Sequence, residues 1–505
     1  MNRGAGTMKR WGRPLVMAAL LLGSAAAPEV KGAARRDTAL EARLREHIAV
    51  LASDDFQGRE PGTEGETKTL RYLAGQWIRL GLASGTNEPG KDWFAPVNLI
   101  GRDPAGSFAQ FLRKGRPIAI PSGSVLMLTA SKRAFVRDAP VVFVGLDGGA
   151  PPARSDLAGR VVLLLEGGRD DSERQNALLG AGAAAVLTIL DGERSLEGVS
   201  TRRQRTSYAL ASEAVGGDLE GFITREGVAN LLAGSGKTLA DLQADAARRD
   251  FAPRVMGFTA TLEATTRETA ILTHNLIGKL PGRRPDTGAV LFVAHWDAFG
   301  ICAEPPAEDT VCNGAVDNAS GLAALTEIAR RLAERPQMDR DVYFLATTAE
   351  ELGLLGAHAF AENPPLPLGK IVAAFNIDSV AIAPAGTPLG IVGKGRTRLD
   401  ADIAKVARQQ RRKIVDGDAA NAYVQRQDGW ALLQHDIPAV LVSSGYGDIE
   451  RMEAFFEGDY HRPSDGMDKP LELGGAAEDV TFLVALGRWF ADARRVAAPA
   501  AAAGK

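Results

Sequence analysis

The sequence predicts an α/β protein whose main domain is a largely parallel sheet covered by helices on both faces. Three observations carry this. The runs "AVLFVAH", "DVYFLATT", "KIVAAFNID" and "PAVLVSS" are short, continuous and apolar, the texture of strands buried on both sides. Segments with apolar residues at three- and four-residue spacing separate them, so strand and helix alternate. Imidazoles and carboxylates gather where these runs end, the edge at which open α/β sheets bind ligands.

The chain has 505 residues, too many for one core, which implies two or three domains. With 45% hydrophobic and 24% charged residues it reads as soluble and globular. A net charge of −3 gives no reason to expect nucleic acid or a membrane surface as partner. Lys9, Arg10 and Arg13 precede "PLVMAALLLGSAAA", an apolar stretch ending in small residues. That layout predicts a signal peptide over residues 1–34, cleaved between Ala25 and Ala34 and too short to span a bilayer comfortably. The mature chain is therefore expected to be exported, periplasmic or extracellular. Cys302 and Cys312 are the 2 cysteines, in "GICAEPPAEDTVCNG". In an oxidising compartment such a pair favours a disulfide over a metal site.

In chain order, "TALEARLREHIAVLAS" and "GETKTLRYLAGQWIRLGL" have helical periodicity and flank the polar turn "DDFQGREPGTEGE". A strand-rich region follows. From about residue 122 to 250, "APVVFVG", "GRVVLLLEGG" and "AAAVLTIL" alternate with helical signals, as in a small domain with its own core. "TRRQRTS" there reads as a solvated basic loop. "LAGSGKTLA" is no phosphate loop, because Leu231 stands where the first glycine is required. From about residue 269 the strands are "HNLIGKLPG" and the four runs above. Their helices are "NASGLAALTEIARRLAER", "ELGLLGAHAFAEN" and the closing "AEDVTFLVALGRWFADARR". Residues 496–505 are expected to be a disordered tail.

The strand ends hold the chemistry. His295 and Asp297 close "AVLFVAHWD", Asp317 lies in "GAVDNASG", Glu350 and Glu351 follow "YFLATTA", Asp378 closes "AAFNID" and His461 lies in "YHRPSD". Each has a plain structural role open to it. His295 and Asp297 can be a satisfied buried pair, Asp317 a helix cap, and the glutamates complements to a helix dipole. Asp378 can cap a turn, and His461 can be a surface residue. Jointly those roles explain the set poorly, since they place two of the chain's 6 histidines and several acids at one edge by coincidence. Two imidazoles and three carboxylates suit zinc, or cobalt or manganese. A pair of such ions roughly 3.5–4 Å apart can share one carboxylate and one water.

Taken in order, "AHWDA", "VDNASG", "TAEELGLLG", "NIDS" and "YHRPSD" resemble the M28 metallopeptidases, secreted two-zinc aminopeptidases. The resemblance covers roughly residues 270–495 and, more weakly, "LASDDFQGREPGTEGE". It implies a mostly parallel mixed sheet sandwiched by helices, the zinc aminopeptidase or phosphorylase/hydrolase-like fold, built from residues 35–118 and 265–495. It implies a protease-associated-like β-rich insert over residues 119–264, standing over or beside the cleft. It also implies roles: His295 and Asp378 on one zinc, Glu351 and His461 on the other, Asp317 bridging. Glu350 would be the general base, Asp297 would hydrogen-bond His295, and Tyr460 would polarise the substrate carbonyl. A cis peptide after Asp317 is a further family trait.

One stretch departs from the pattern. Where many relatives have Ser-Asp-His, this chain has "RQDGW", so Asp428 matches and Gly429 replaces the histidine. The activity implied is hydrolysis of N-terminal residues from peptides with a free N-terminus. A carboxypeptidase or dipeptidase, for which Arg426 would be the carboxylate-gripping residue, and a single-zinc glutaminyl cyclase are the other activities this fold allows.

Overall fold

Parallel pairing sets the centre of the sheet. Ala289–His295 lies between Asp341–Thr347 and Ile371–Asn376, parallel to both, and Ile371–Asn376 pairs in parallel with Ala439–Ser443. Every residue of these four strands is buried, as their unbroken apolar runs require. Antiparallel neighbours close the group: Gly390–Val392 beside Ala439–Ser443, and the end of Arg254–Leu280 beside Asp341–Thr347. The sheet is mixed and helix-flanked, as expected.

The computed structural model describes residues 36–86, 93–145, 153–167, 171–203, 205–213, 218–303 and 305–497. The expected signal peptide and the tail beyond residue 497 lie outside them. Residues from Asp37 onward form one unit by their contacts. Among the described residues, no helix is long and apolar enough to cross a membrane.

Helices Thr38–Leu51, Gly321–Ala333 and Leu473–Ala491 pack on the sheet through one large core that includes Leu44, Phe292, Leu325, Phe344, Phe375 and Phe490. Thr38–Leu51 is capped by Asp37, whose side chain accepts from the Leu40 N–H. The helix expected from Glu351 starts only at Leu355. Gly353 (φ 119°) and Leu354 (φ 60°) break the backbone and leave Glu350 and Glu351 in a turn.

The 27-residue strand Arg254–Leu280 joins two halves of the fold. Its end borders the parallel strands, while its length pairs with Phe94–Arg113 and Arg133–Gly145. Beyond it, Val161–Leu165, Ala185–Ile189 and Glu220–Ile223 continue the sheet in parallel around a separate core containing Phe143, Leu163, Leu187 and Ile223. The segment read as a basic loop is partly helical, since Leu196–Arg203 includes its first three residues. Strand Ser207–Leu210 turns back to pair with Phe94–Arg113. There Leu210 packs with Ala349 and Leu355, behind the Glu350 turn.

Candidate metal centre

His295 is the last residue of its strand and pairs across to Thr347, so the turn holding Glu350 and Glu351 starts beside it. Asp378 follows the next parallel strand, Asp317 lies in the buried turn Ala315–Ser320 before a helix, and His461 follows helix Ile449–Gly458. A parallel sheet brings its strand ends to one edge, so segments far apart in sequence converge there.

Asp317 stands between the two histidines. Its Oδ1 is 3.2 Å from His295 Nε2 and its Oδ2 is 3.5 Å from His461 Nε2. His295 Nε2 lies 3.8 Å from Asp378 Oδ1, and His461 Nε2 lies 3.0 Å from Glu351 Oε2. Two donor sets thus share one carboxylate. Glu350 belongs beside the first, since its ligand atom lies within 4.8 Å of those of His295 and Asp378.

The tautomer of His295 follows from its neighbour. Nδ1 is 3.1 Å from the Asp297 backbone carbonyl, which can only accept. Nδ1 therefore carries a proton, which leaves Nε2, facing Asp317 and Asp378, as the nitrogen that would bind a metal. His295 Nε2 and Glu351 Oε1 are buried with no hydrogen-bond partner.

The local charge is lopsided. The carboxylates of Asp297, Asp317, Glu350, Glu351, Asp378, Asp428 and Asp465 are buried around two imidazoles and the Arg59 guanidinium. Burial, with Glu351 and Asp378 nearby, pushes the Glu350 pKa well above the usual range despite His295. Burial likewise raises Glu351 and Asp378, and lifts Asp428 to about 7. Burial alone would lower His295, yet the surrounding carboxylates raise it well above its usual value. Burial would raise Asp317, but the two imidazoles outweigh it and hold that carboxyl down. Such a surplus of buried negative charge is costly without cations among it. Nitrogen and oxygen donors in this number fit divalent zinc, cobalt or manganese.

Residues 275–482, which hold both donor sets, match the family described as peptidase family M28. This segment belongs to that family. The chain also has curated relatives. Over 124 residues the chain is 33% identical to aminopeptidase YwaD of Bacillus subtilis strain 168, spanning 24% of each chain. Over 132 residues it is 29% identical to the alkaline phosphatase isozyme conversion protein of Escherichia coli K12, spanning 23% of this chain and 37% of that protein. The matches thus span well under half the length of these curated relatives. In fold, the chain resembles the aminopeptidase from Aneurinibacillus sp. strain AM-1, with a TM-score of 0.52 and 20% identity, covering 91% of this chain and 94% of that one.

Within the M28 segment, Asp297 differs in detail from the expected role. Its carboxylate lies 3.7 Å from His295 Nδ1, and the bond to the ring comes from its backbone carbonyl instead. The two carboxylate oxygens accept the backbone N–H groups of Glu350 (3.1 Å) and Glu351 (3.2 Å). Asp297 thus sets the turn that aims both glutamates. Tyr460 stacks on His461 with ring centroids 3.5 Å apart and lines a recess with Asp317, Glu350 and Asp378. The Asp317–Asn318 peptide is cis, and Cys302 and Cys312 form a disulfide.

Three supporting residues escaped the sequence reading. Arg59, fully buried, donates to the carbonyls of Leu51, Trp296, Asn313 and Gly314. It pins the N-terminal segment to both loops of the M28 site. Asp465 accepts the backbone N–H groups of Val316 and Asp317. Asn318 donates to the Ile377 carbonyl, and its Oδ1 accepts from Gly321 and Ser379, tying the Asp317 turn to the Asp378 strand end. Arg59, Ala349, Ser379 and His461 all have left-handed φ between 52° and 56°, a backbone that non-glycine residues adopt at a cost.

Proposed function

We propose that the chain is an exported, zinc-dependent aminopeptidase that removes N-terminal residues from peptides. The observation that carries this reading is Asp317, with one oxygen facing His295 and the other facing His461. His295 and Asp378 would hold one ion and Glu351 and His461 a second, with Asp317 shared. Cobalt or manganese suits the same donors. When bound, the ions supply Lewis acidity that polarises a carbonyl and lowers the pKa of water toward neutrality.

The chain's own residues do the rest. Glu350 takes the proton of the attacking water and delivers it to the leaving amine, from its place beside His295 and Asp378. Asp297 holds Glu350 and Glu351 in their turn. The Tyr460 hydroxyl, in the same recess, donates to the oxyanion. The acid-rich floor attracts a protonated substrate amine, which favours exopeptidase action. Residues 119–264, read as a protease-associated-like insert, brace the Glu350 turn through Leu210 and carry no chemistry of their own.

The aminopeptidase names of two similar proteins support this reading. Its test is Glu350→Gln assayed on leucine p-nitroanilide. The variant keeps its zinc and loses turnover by orders of magnitude; wild-type turnover would overturn the role.

A further inference from the structure

The recess beside the metal centre is lined by charges of both signs. Its floor is acidic, formed by Asp317, Glu350 and Asp378. Its wall is aromatic. Tyr423 and Phe456 have ring centroids 5.2 Å apart, Phe456 and Tyr460 4.8 Å, and Tyr460 rests on the ligand His461. Arg426 lies over the middle ring of this row, its guanidinium 5.5 Å from the Phe456 ring centre, and among the described residues it is the one cation lining the recess.

Two features make Arg426 more than a surface charge. It is exposed, and among the described residues no carboxylate forms an ion pair with it, although acids crowd the floor a short way off. An aromatic face holds a guanidinium in place without neutralising it, so the planar donor fork stays free for a ligand. Its position is also fixed from the main chain. The Arg426 N–H donates to the Tyr423 carbonyl, and helix Asp428–Gln434 starts two residues later.

We infer that Arg426 is a specificity-determining residue that grips a carboxylate of the substrate, so that the recess selects short or acidic peptides carrying that charge beyond their N-terminal amine. The inference rests on the aminopeptidase reading and deepens it. A substrate with its ammonium toward the acidic floor and a carboxylate toward Arg426 meets both signs of charge that line the recess. An apolar or cationic group at the Arg426 end gains nothing from the free fork. The carboxylate has two possible sources, the side chain of a glutamyl or aspartyl N-terminal residue, or the free C-terminus of a dipeptide.

The test uses full-length, zinc-loaded protein and two substrate pairs. Glutamyl p-nitroanilide against leucyl p-nitroanilide reads the side-chain source; leucyl-leucine against leucyl-leucinamide reads the terminal one. Wild type is expected to favour the charged member of at least one pair in kcat/KM. Arg426→Gln lowers kcat/KM for that member by about 10- to 100-fold, the worth of a charge-assisted bidentate contact. It leaves the uncharged member within about threefold. Arg426→Lys retains part of the preference, because charge survives and the fork does not.

The inference is overturned if wild type shows no charge preference in either pair, or if Arg426→Gln lowers both members equally, as loss of a purely structural stacking contact would. Calorimetric titration of the Glu350→Gln protein with glutamic acid α-amide against leucinamide, and with leucyl-leucine against leucyl-leucinamide, reads the same preference without turnover. A chain that cleaves none of the substrates refutes the aminopeptidase reading, while these titrations still decide for or against Arg426.

Discussion

Asp465 accepts the backbone N–H of Asp317 at 3.0 Å. Its other oxygen accepts from Val316, so a carboxylate four residues after His461 fixes the main chain that aims the shared Asp317. Asp465→Asn keeps the shape but sets an amide NH2 against one of those N–H groups. Zinc affinity should fall roughly 10- to 100-fold, the usual effect of removing a ligand's orienting partner. Competition with a chromogenic chelator measures it; unchanged affinity would show that Asp317 positions itself.

Arg59→Met removes the donors from four buried carbonyls and the counter-charge from Asp465. The expected loss of stability is about 3–5 kcal/mol, typical of breaking a buried charged network at one partner. Urea unfolding in the presence of a chelator separates this loss from any effect of bound metal. Arg59→Lys should rescue little, because an ammonium does not span the same carbonyls.

Asp297→Asn tests the turn that carries the two glutamates. Replacing one carboxylate oxygen by an NH2 group turns an accepted bond from Glu350 or Glu351 into a donor–donor clash. We expect kcat to fall roughly 10- to 100-fold, with the bonds to Glu350 and Glu351 as the cause. A wild-type kcat with full zinc content would remove Asp297 from the working site.

Far from the metal centre, Glu327 makes a prediction in pH. Burial would raise its pKa, but the His47 imidazole 3.7 Å away and hydrogen bonds from Arg330 and Arg43 outweigh burial and lower it from 4.5 to about 2. A depressed folded-state pKa adds stability that is complete above about 4.5 and fades as pH falls toward 2. Glu327→Gln should therefore cost at most about 3 kcal/mol at pH 7 and little near pH 2. Unfolding curves of both proteins across that range check the slope. An equal cost at both ends would show that charge is not what Glu327 contributes.

What could be read from the sequence follows from what kind of partner each residue has. The four parallel strands were visible because burial on both faces writes an unbroken apolar run. His295, Asp317, Glu351, Asp378 and His461 were visible because chemically unusual side chains stand at strand ends and in the turns nearby. Arg59 was not, since its partners are main-chain carbonyls of remote loops, which leave no side-chain pattern. Asp465 lay in a quoted motif, but its hydrogen bonds are to backbone N–H groups. Asp297 meets His295 mainly through its backbone carbonyl, with the carboxylate 3.7 Å from Nδ1, a detail that no side-chain pattern records. Helices Asp428–Gln434 and Ile449–Gly458 and strand Gly390–Val392 were missed. The strand has three residues, too few to show a period.

The most direct test is anomalous diffraction at the zinc edge from crystals of the zinc-loaded chain. Two peaks are expected, one contacted by His295 and Asp378, the other by Glu351 and His461, with Asp317 touching both. A single peak, or zinc bound anywhere but between these side chains, would contradict the shared-carboxylate centre on which the proposed chemistry depends.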